Sequence, residues 1–212
     1  MLLDLDGTIS DSRPGIAGCF RFMLAQMGHD PMVAGDVTWA VGPPIAVSIR
    51  KLLEIYGDDR VDEALLIYRA HYSDVAIYDC TVFAGISGLL TELRDAGHIL
   101  CVATSKRRDF ADRVVDYLGL RPLLPKVYGA LPGGGLDNKA DLLAEILRVE
   151  GYDPAATIMI GDRYHDIHAA KANNLLSAGV LWGYGGAEEL RQAGADHLVD
   201  WPEEIPALLP LG

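Results

Sequence analysis

The chain opens with Leu2-Leu3-Asp4-Leu5-Asp6-Gly7-Thr8, an apolar pair running into two carboxylates that flank a leucine, then Gly-Thr. Read as a strand, Leu2–Leu5 places Asp4 and Asp6 on one face, because alternate strand side chains share a side. The strand is short, and the reading expects a few residues before it. In open α/β sheets, ligands bind beyond the carboxyl ends of the strands, which is where the two aspartates fall. Carboxylates so close repel each other until a proton or a cation intervenes. A hard cation such as Mg²⁺ prefers oxygen ligands of this kind. A bare pair of aspartates two residues apart is more often a solvated strand end, with Gly7 as its turn.

Three further strand ends lie downstream. Ile99–Ala103 follows a helix-like stretch, Gly88–Ala96, that stops at Gly97, and it ends in Thr104-Ser105-Lys106. Hydroxyls and free N–H groups at a helix start can cradle phosphate, although an ordinary Thr or Ser cap has the same composition. Lys139, in Asp137-Asn-Lys139-Ala-Asp141, stands at the start of the helix-like Ala140–Glu150. A cation there opposes the helix dipole, which hints at an anion nearby. Thr157–Ile160 ends in Gly161-Asp162-Arg-Tyr-His-Asp166, with two acids four residues apart; a helix starting there would turn both to one side. N-capping by Asp162 explains one of these acids more easily than both. Ser177–Leu181 follows the helical Ile167–Asn173. Strands alternating with helices of this length indicate a parallel sheet.

Residues 13–81 read differently. Ala17–Met27, Pro44–Tyr56 and Val61–Tyr72 are helix-like, and Val61, Ala64, Leu65, Tyr68 and Tyr72 share one face at helical spacing. The expected organisation is an α/β core of residues 1–12 and 82–212, with a helical insertion at 13–81 after the first strand.

Composition narrows the function. A net charge of −12 over 212 residues argues against a nucleic-acid polymer or an anionic membrane as partner. It leaves room for a small anionic substrate, because a bound divalent cation can reverse the local field. Cys19, Cys80 and Cys101 are scattered, as expected of buried reduced thiols rather than a disulfide framework or zinc site. No export signal and no run of about 18 apolar residues is visible. The expectation is a cytoplasmic globular protein.

Together, these four strand ends resemble the haloacid dehalogenase-like hydrolase superfamily. Asp4-Leu-Asp-Gly-Thr8 is similar to its first motif, Thr104 to its second, Lys139 to its third and Gly161-Asp162-Arg-Tyr-His-Asp166 to its fourth. Val41-Gly-Pro-Pro44, Thr104-Ser-Lys106, Gly161-Asp-Arg163 and Trp182-Gly-Tyr-Gly185 resemble the phosphoglycolate phosphatase-like branch, which also holds 5′-nucleotidases. The resemblance implies a Rossmann-like parallel sheet flanked by helices, with a mobile C1-type cap. It implies a phosphatase of small phosphorylated metabolites, monomeric or homodimeric. Asp4 would be the nucleophile and Asp6 the general acid and base. Mg²⁺ would be held by Asp4, the Asp6 main-chain carbonyl and Asp162, with Asp166 beside them. Thr104 and Lys139 would hold phosphoryl oxygens, with Thr8 and Ser105 as further substrate contacts. Residues near Gly42-Pro43-Pro44, with Arg50 or Lys51, would read the leaving group.

Several features are set aside. His165 and His168 sit in an oxygen-ligand setting that suits zinc poorly. Gly133–Gly135 lacks the lysine and hydroxyl of a P-loop and reads as a plain loop, and the stretch 131–136 is less polar than the resemblance leads one to expect. Tyr and Trp at 182–184 read as packing. A sugar phosphomutase on the same fold, or a non-catalytic regulatory protein, are the competing classes.

Overall fold

The computed structural model describes residues 1–132 and 135–208. Gly133 and Gly134, within the triple glycine, lie outside the described residues. The central sheet contains β1 (Leu2–Leu3), β4 (Cys101–Arg107), β5 (Lys126–Ala130), β6 (Ile158–Gly161), β7 (Leu176–Val180) and β8 (His197–Val199), in the order β5-β4-β1-β6-β7-β8. All of its pairings are parallel. A second, antiparallel pair joins β2 (Ser10–Asp11) to β3 (Thr81–Val82). The helices of the sheet layers are α4 (Ile86–Asp95), α5 (Arg108–Tyr117), α6 (Lys139–Glu150), α7 (Tyr164–Ala172) and α8 (Ala187–Ala193). Between β2 and β3 the chain is helical, with α1 (Arg13–Gln26), α2 (Ile45–Glu54), α3 (Val61–Asp74) and short 3₁₀ turns.

Both faces of the sheet are buried, so its inner strands β1 and β6 are apolar throughout rather than alternating. Leu2 pairs with Cys101 and Met159, and all three pack on the side of Leu142, Leu143 and Ala169 from α6 and α7. Leu3, Val102 and Ile160, one step on, point into the other layer with Leu90 of α4 and Val114 of α5. The Asp4 N–H donates to Ile160 C=O at 2.9 Å, after which the chain leaves the ladder. The strand therefore ends at Leu3, two residues earlier than its apolar pattern suggested.

This register determines the site. β1 lies between β4 and β6, where the strand order switches direction, the usual ligand position in such sheets. Because Leu3, Val102 and Ile160 are level, the residues just beyond them (Asp4, Thr104 and Asp162) emerge at the same edge. No helix among the described residues is long and apolar enough to cross a membrane. The three cysteines are buried and unpaired.

Candidate active site

Each arm of the site is shaped locally. After Asp4 the chain turns through Gly7, whose φ of +89° suits glycine, and a Cβ there would overlap the Asp162 carboxylate. Gly183, in the loop after β7, is equally constrained, because a Cβ would overlap Asp162 and the Gly7 carbonyl. Backbone thus packs directly on Asp162. The Tyr184 N–H donates to its Oδ2 at 2.8 Å, and the Thr8 hydroxyl lies 3.5 Å from its Oδ1. The register of β4 slips between Thr104 and Arg107, a bulge in which Lys106 N–H donates to Thr104 Oγ1 at 3.2 Å. Gly129 of β5 lets this bulge approach closely, since a Cβ there would strike the Lys106 carbonyl. Asn138 caps α6 by accepting from the Ala140 N–H at 2.8 Å, which makes Lys139 the first helical residue. Arg163, not Asp162, is the N-cap of α7, and its N–H donates to Asp166 Oδ2 at 3.0 Å.

Asp4, Asp162 and Asp166 meet in the interior, each offering an oxygen within 4.8 Å of the others. Lys139 Nζ lies 2.9 Å from Asp4 Oδ1 and is also paired with Asp166. Three buried carboxylates thus stand together with one ammonium, which pairs with two of them, leaving an excess of negative charge that burial makes costly. Burial pushes Asp4 up to about 7, with Asp166 and Asp6 adding to the shift and Lys139 opposing it. Burial, then the charges of Asp166 and Asp4, push Asp162 well above the ordinary range. A hard divalent cation would remove the excess charge, and an all-oxygen donor set of this size fits Mg²⁺.

The Asp6 carboxylate stands apart from this cluster. Its Oδ1 accepts from Ser12 Oγ at 2.5 Å and from Lys106 Nζ at 2.7 Å. Two backbone bonds, Gly7 N–H to Ser10 C=O and Ser10 N–H to Leu5 C=O, form the bridge at Asp6, and neither uses the Asp6 carbonyl. That carbonyl is therefore free to face a cation while the side chain faces Lys106.

Above these groups lies a cavity of about 480 Å³ between the sheet edge and the helical segment, lined by Asp4, Asp6, Thr104 and Ser105 below and by Pro43, Ile45 and Tyr68 above. A neighbouring cleft shares Pro43 and Ser105 and adds Lys139 and Lys51. The structure thus gathers Asp4, Asp6, Thr104, Ser105, Lys139, Asp162, Asp166 and Pro43 in one region. Thr8 and Arg50 are not brought to the cavity. Thr8 is 1% exposed behind Asp162, and its carbonyl accepts from Trp182 Nε1 at 3.0 Å. Arg50 is exposed because α2 buries Ile49, Leu52 and Leu53 on its opposite stripe. Trp182 and Tyr184 are packing residues. The Tyr184 hydroxyl accepts from Ser12 N–H at 2.9 Å and donates to Asp11 Oδ1 at 2.9 Å, tying down the start of the helical segment.

Sequence reading missed two cations here. Lys106 joins Asp6 to the Tyr72 hydroxyl of α3, at 2.7 Å to each. It stands in the quoted Thr104-Ser-Lys106 stretch, but the sequence assigns it no role. Arg69, also on α3, lines the cavity and had no signal at all.

The parallel sheet with its switch point at β1, and the cluster of aspartates at its edge, define an α/β protein with an acidic ligand site beyond the carboxyl ends of its strands. The chain belongs to the haloacid dehalogenase-like hydrolase family, whose model matches residues 1–180. It is 35% identical over 199 residues to a 5′-nucleotidase of Pseudomonas aeruginosa, covering 93% of this chain and 89% of that one. It is 31% identical over 212 residues to a plasmid-borne phosphoglycolate phosphatase of Cupriavidus necator, covering 99% and 92% respectively. The crystal structure of a predicted phosphatase from Clostridium acetobutylicum superposes with a TM-score of 0.89 at 32% identity, over 98% of this chain and 95% of that one.

Proposed function

We propose that this hydrolase is a Mg²⁺-dependent phosphatase of small phosphorylated metabolites, working through an aspartyl-phosphate on Asp4. The observation that carries the reading is the cluster of Asp4, Asp162 and Asp166, with Lys139 paired to Asp4 and Asp166, whose Asp4 opens onto a cavity that Asp6 and Thr104 also line. Asp4, Asp162, Asp166 and the Asp6 carbonyl would hold the cation. When bound, it would neutralise phosphoryl and carboxylate oxygens that otherwise repel.

The covalent and proton-transfer steps then fall to this chain's residues and water. An Asp4 carboxylate oxygen attacks phosphorus while the bond to the leaving oxygen breaks, and Asp6 supplies the proton that leaving oxygen takes up. Water next attacks the phosphorus of the aspartyl-phosphate and gives its proton to Asp6. The bond to Asp4 breaks, and inorganic phosphate departs with Asp4 restored. Thr104, Ser105 and Lys139 position phosphoryl oxygens, the kind of help phosphoryl transfer chiefly needs. The helical segment serves as the cap that keeps water out of the first step.

Relatives named as phosphoglycolate phosphatase and as 5′-nucleotidase support two substrate classes, with the former placed first. The cavity of about 480 Å³ is within the ordinary range for ligand sites and admits either. The test is phosphate release from 2-phosphoglycolate, nucleoside monophosphates, sugar phosphates and p-nitrophenyl phosphate, with Mg²⁺, with EDTA and with Asp4→Asn. Release that needs Mg²⁺ and disappears in the variant supports the reading. No release from any ester by folded, Mg²⁺-loaded protein overturns it.

A further inference from the structure

Arg69 is a half-buried cation without a counter-ion among the described residues. It projects from α3 into the cavity that Asp4 and Asp6 also line. No carboxylate lies within ion-pairing distance of it among the described residues, and its Nε is buried without a hydrogen-bond partner. Burial lowers its pKa from the ordinary arginine value, and the charge of Arg107 lowers it further; Asp137 and Asp109 oppose them only through space. Arg21 and Arg50 also lack ion pairs, but both are exposed and lose little hydration. Arg107 lines the same cavity, held on Asp109 by bonds of 3.0 and 2.8 Å, with its guanidinium 4.7 Å from the Phe110 ring.

Desolvating a guanidinium without a partner is costly, and placing a second guanidinium in the same cavity raises that cost. Ile16, Val41 and Ile45 in the walls of this cavity are apolar, and its carboxylates Asp4, Asp6 and Asp137 lie beyond ion-pairing distance of Arg69. An oxyanion entering the cavity would give Arg69 the partner it lacks, with Arg107, already held on Asp109, adding positive charge nearby; carboxylate or phosphate matches the planar donor fork of arginine.

We propose that Arg69, supported by Arg107, binds a second oxyanion carried on the leaving group, so that the preferred substrate is a phosphate monoester with an anionic tail. This rests on the phosphatase reading and deepens it. A nucleoside leaving group is neutral and would leave Arg69 unpaired, so charge, rather than cavity size, separates the two substrate classes.

The test compares wild type, Arg69→Gln, Arg69→Lys and Arg107→Gln on three esters in Mg²⁺: 2-phosphoglycolate, ethylene glycol bisphosphate and 2-hydroxyethyl phosphate. Wild type should favour the two anionic-tailed esters, and the better of them identifies carboxylate or phosphate as the tail. Arg69→Gln should lose about 10- to 100-fold in kcat/KM on the favoured ester, the scale of one charged hydrogen-bonding group. Its loss on 2-hydroxyethyl phosphate should be at least about ten-fold smaller. Arg69→Lys should fall between, and Arg107→Gln should show a weaker loss of the same selectivity. Equal losses on all three esters, or a wild type indifferent to the tail, would overturn the proposal. If Arg69→Gln fails to fold, Arg107→Gln and the wild-type preference decide. Calorimetry with phosphonoacetate and methylphosphonate separates this proposal from the phosphatase reading. Tighter binding of phosphonoacetate that weakens in Arg69→Gln supports the anion site even where no ester is cleaved, and equal binding of the two sinks it even where esters are cleaved.

Discussion

Lys106 Nζ lies 2.7 Å from Asp6 Oδ1, joining the bulge of β4 to the loop after β1, and the pair is almost closed to solvent. Burial opposes the Lys106 charge, yet Asp6 and the Tyr72 hydroxyl hold its pKa above the ordinary lysine value. Lys106→Met would leave the Asp6 carboxylate with Ser12 as its remaining side-chain partner. Breaking one side of a buried pair typically costs about 3–5 kcal/mol. We expect a loss near the lower figure, read from urea midpoints, because Ser12 still donates. Lys106→Met/Asp6→Asn should be less destabilised than the sum of its parts, since no orphaned charge remains. Additive losses would show that the pair carries no coupling.

Asp6 lines the cavity, and its Oδ2 receives no hydrogen bond among the described residues. If that carboxyl protonates the departing oxygen, its value depends on how poor the leaving group is. Asp6→Asn should therefore cost about 10²–10⁴-fold with an alkyl phosphate. With p-nitrophenyl phosphate, whose leaving group departs without a proton, the phosphorylation step should suffer far less. A burst of p-nitrophenol followed by slow turnover is the expected trace in rapid-mixing kinetics. Equal loss of the phosphorylation rate on both esters would remove Asp6 from protonating the leaving oxygen.

The strands that place the chemistry were readable because they are buried on both faces. Leu2–Leu3 and Ile158–Gly161 are unbroken apolar runs, Leu176–Val180 is broken only by Ser177, and each stops near an acid or a glycine. β5 and β8 escaped reading. Lys126–Ala130 mixes a lysine and a tyrosine into an edge strand, and His197–Val199 is too short to show a period. The β2–β3 pair joins residues about seventy positions apart through two residues each, which no local pattern encodes. Asp4, Asp162 and Lys139 were legible as motif residues. Arg69 and Arg50 were not separable, because both stand on amphipathic helices and the apolar stripe says which side faces the core, not which edge borders a cavity. Lys106 owes its role to a bulge that only Gly129 of the neighbouring strand allows.

Gly183 has no side chain where Asp162 and the Gly7 carbonyl press against it. Gly183→Ala forces either the loop after β7 or the Asp162 carboxylate to move. Overpacking of this kind costs about 1–3 kcal/mol. Because the displaced group is a candidate cation ligand, the half-saturating Mg²⁺ concentration should rise as well. Gly186→Ala, three residues on, has open space for its Cβ and should leave both quantities nearly unchanged. Matching behaviour of the two variants would mean that the backbone contact on Asp162 is not needed.

Asp4 and Asp162 bind protons more tightly in the metal-free fold than in an unfolded chain, chiefly because burial disfavours their charge. The folded state therefore holds more protons than the unfolded state between the ordinary carboxylate value of 3.8 and the Asp4 value of about 7. Stability rises with pH only where the unfolded state holds more protons, so here these two groups make it fall as pH rises through that window. A cation that displaces those protons stabilises the fold most at the alkaline end, because less proton release then opposes its binding. The melting temperature in EDTA should decline from mildly acidic pH to about 7.5, and millimolar Mg²⁺ should raise it by an increment that grows with pH. Asp162→Asn should melt higher than wild type in EDTA at the upper pH, having one buried charge fewer, and should lose most of the Mg²⁺ increment. An increment independent of pH, or one retained in Asp162→Asn, would move the cation away from the Asp4, Asp162 and Asp166 cluster.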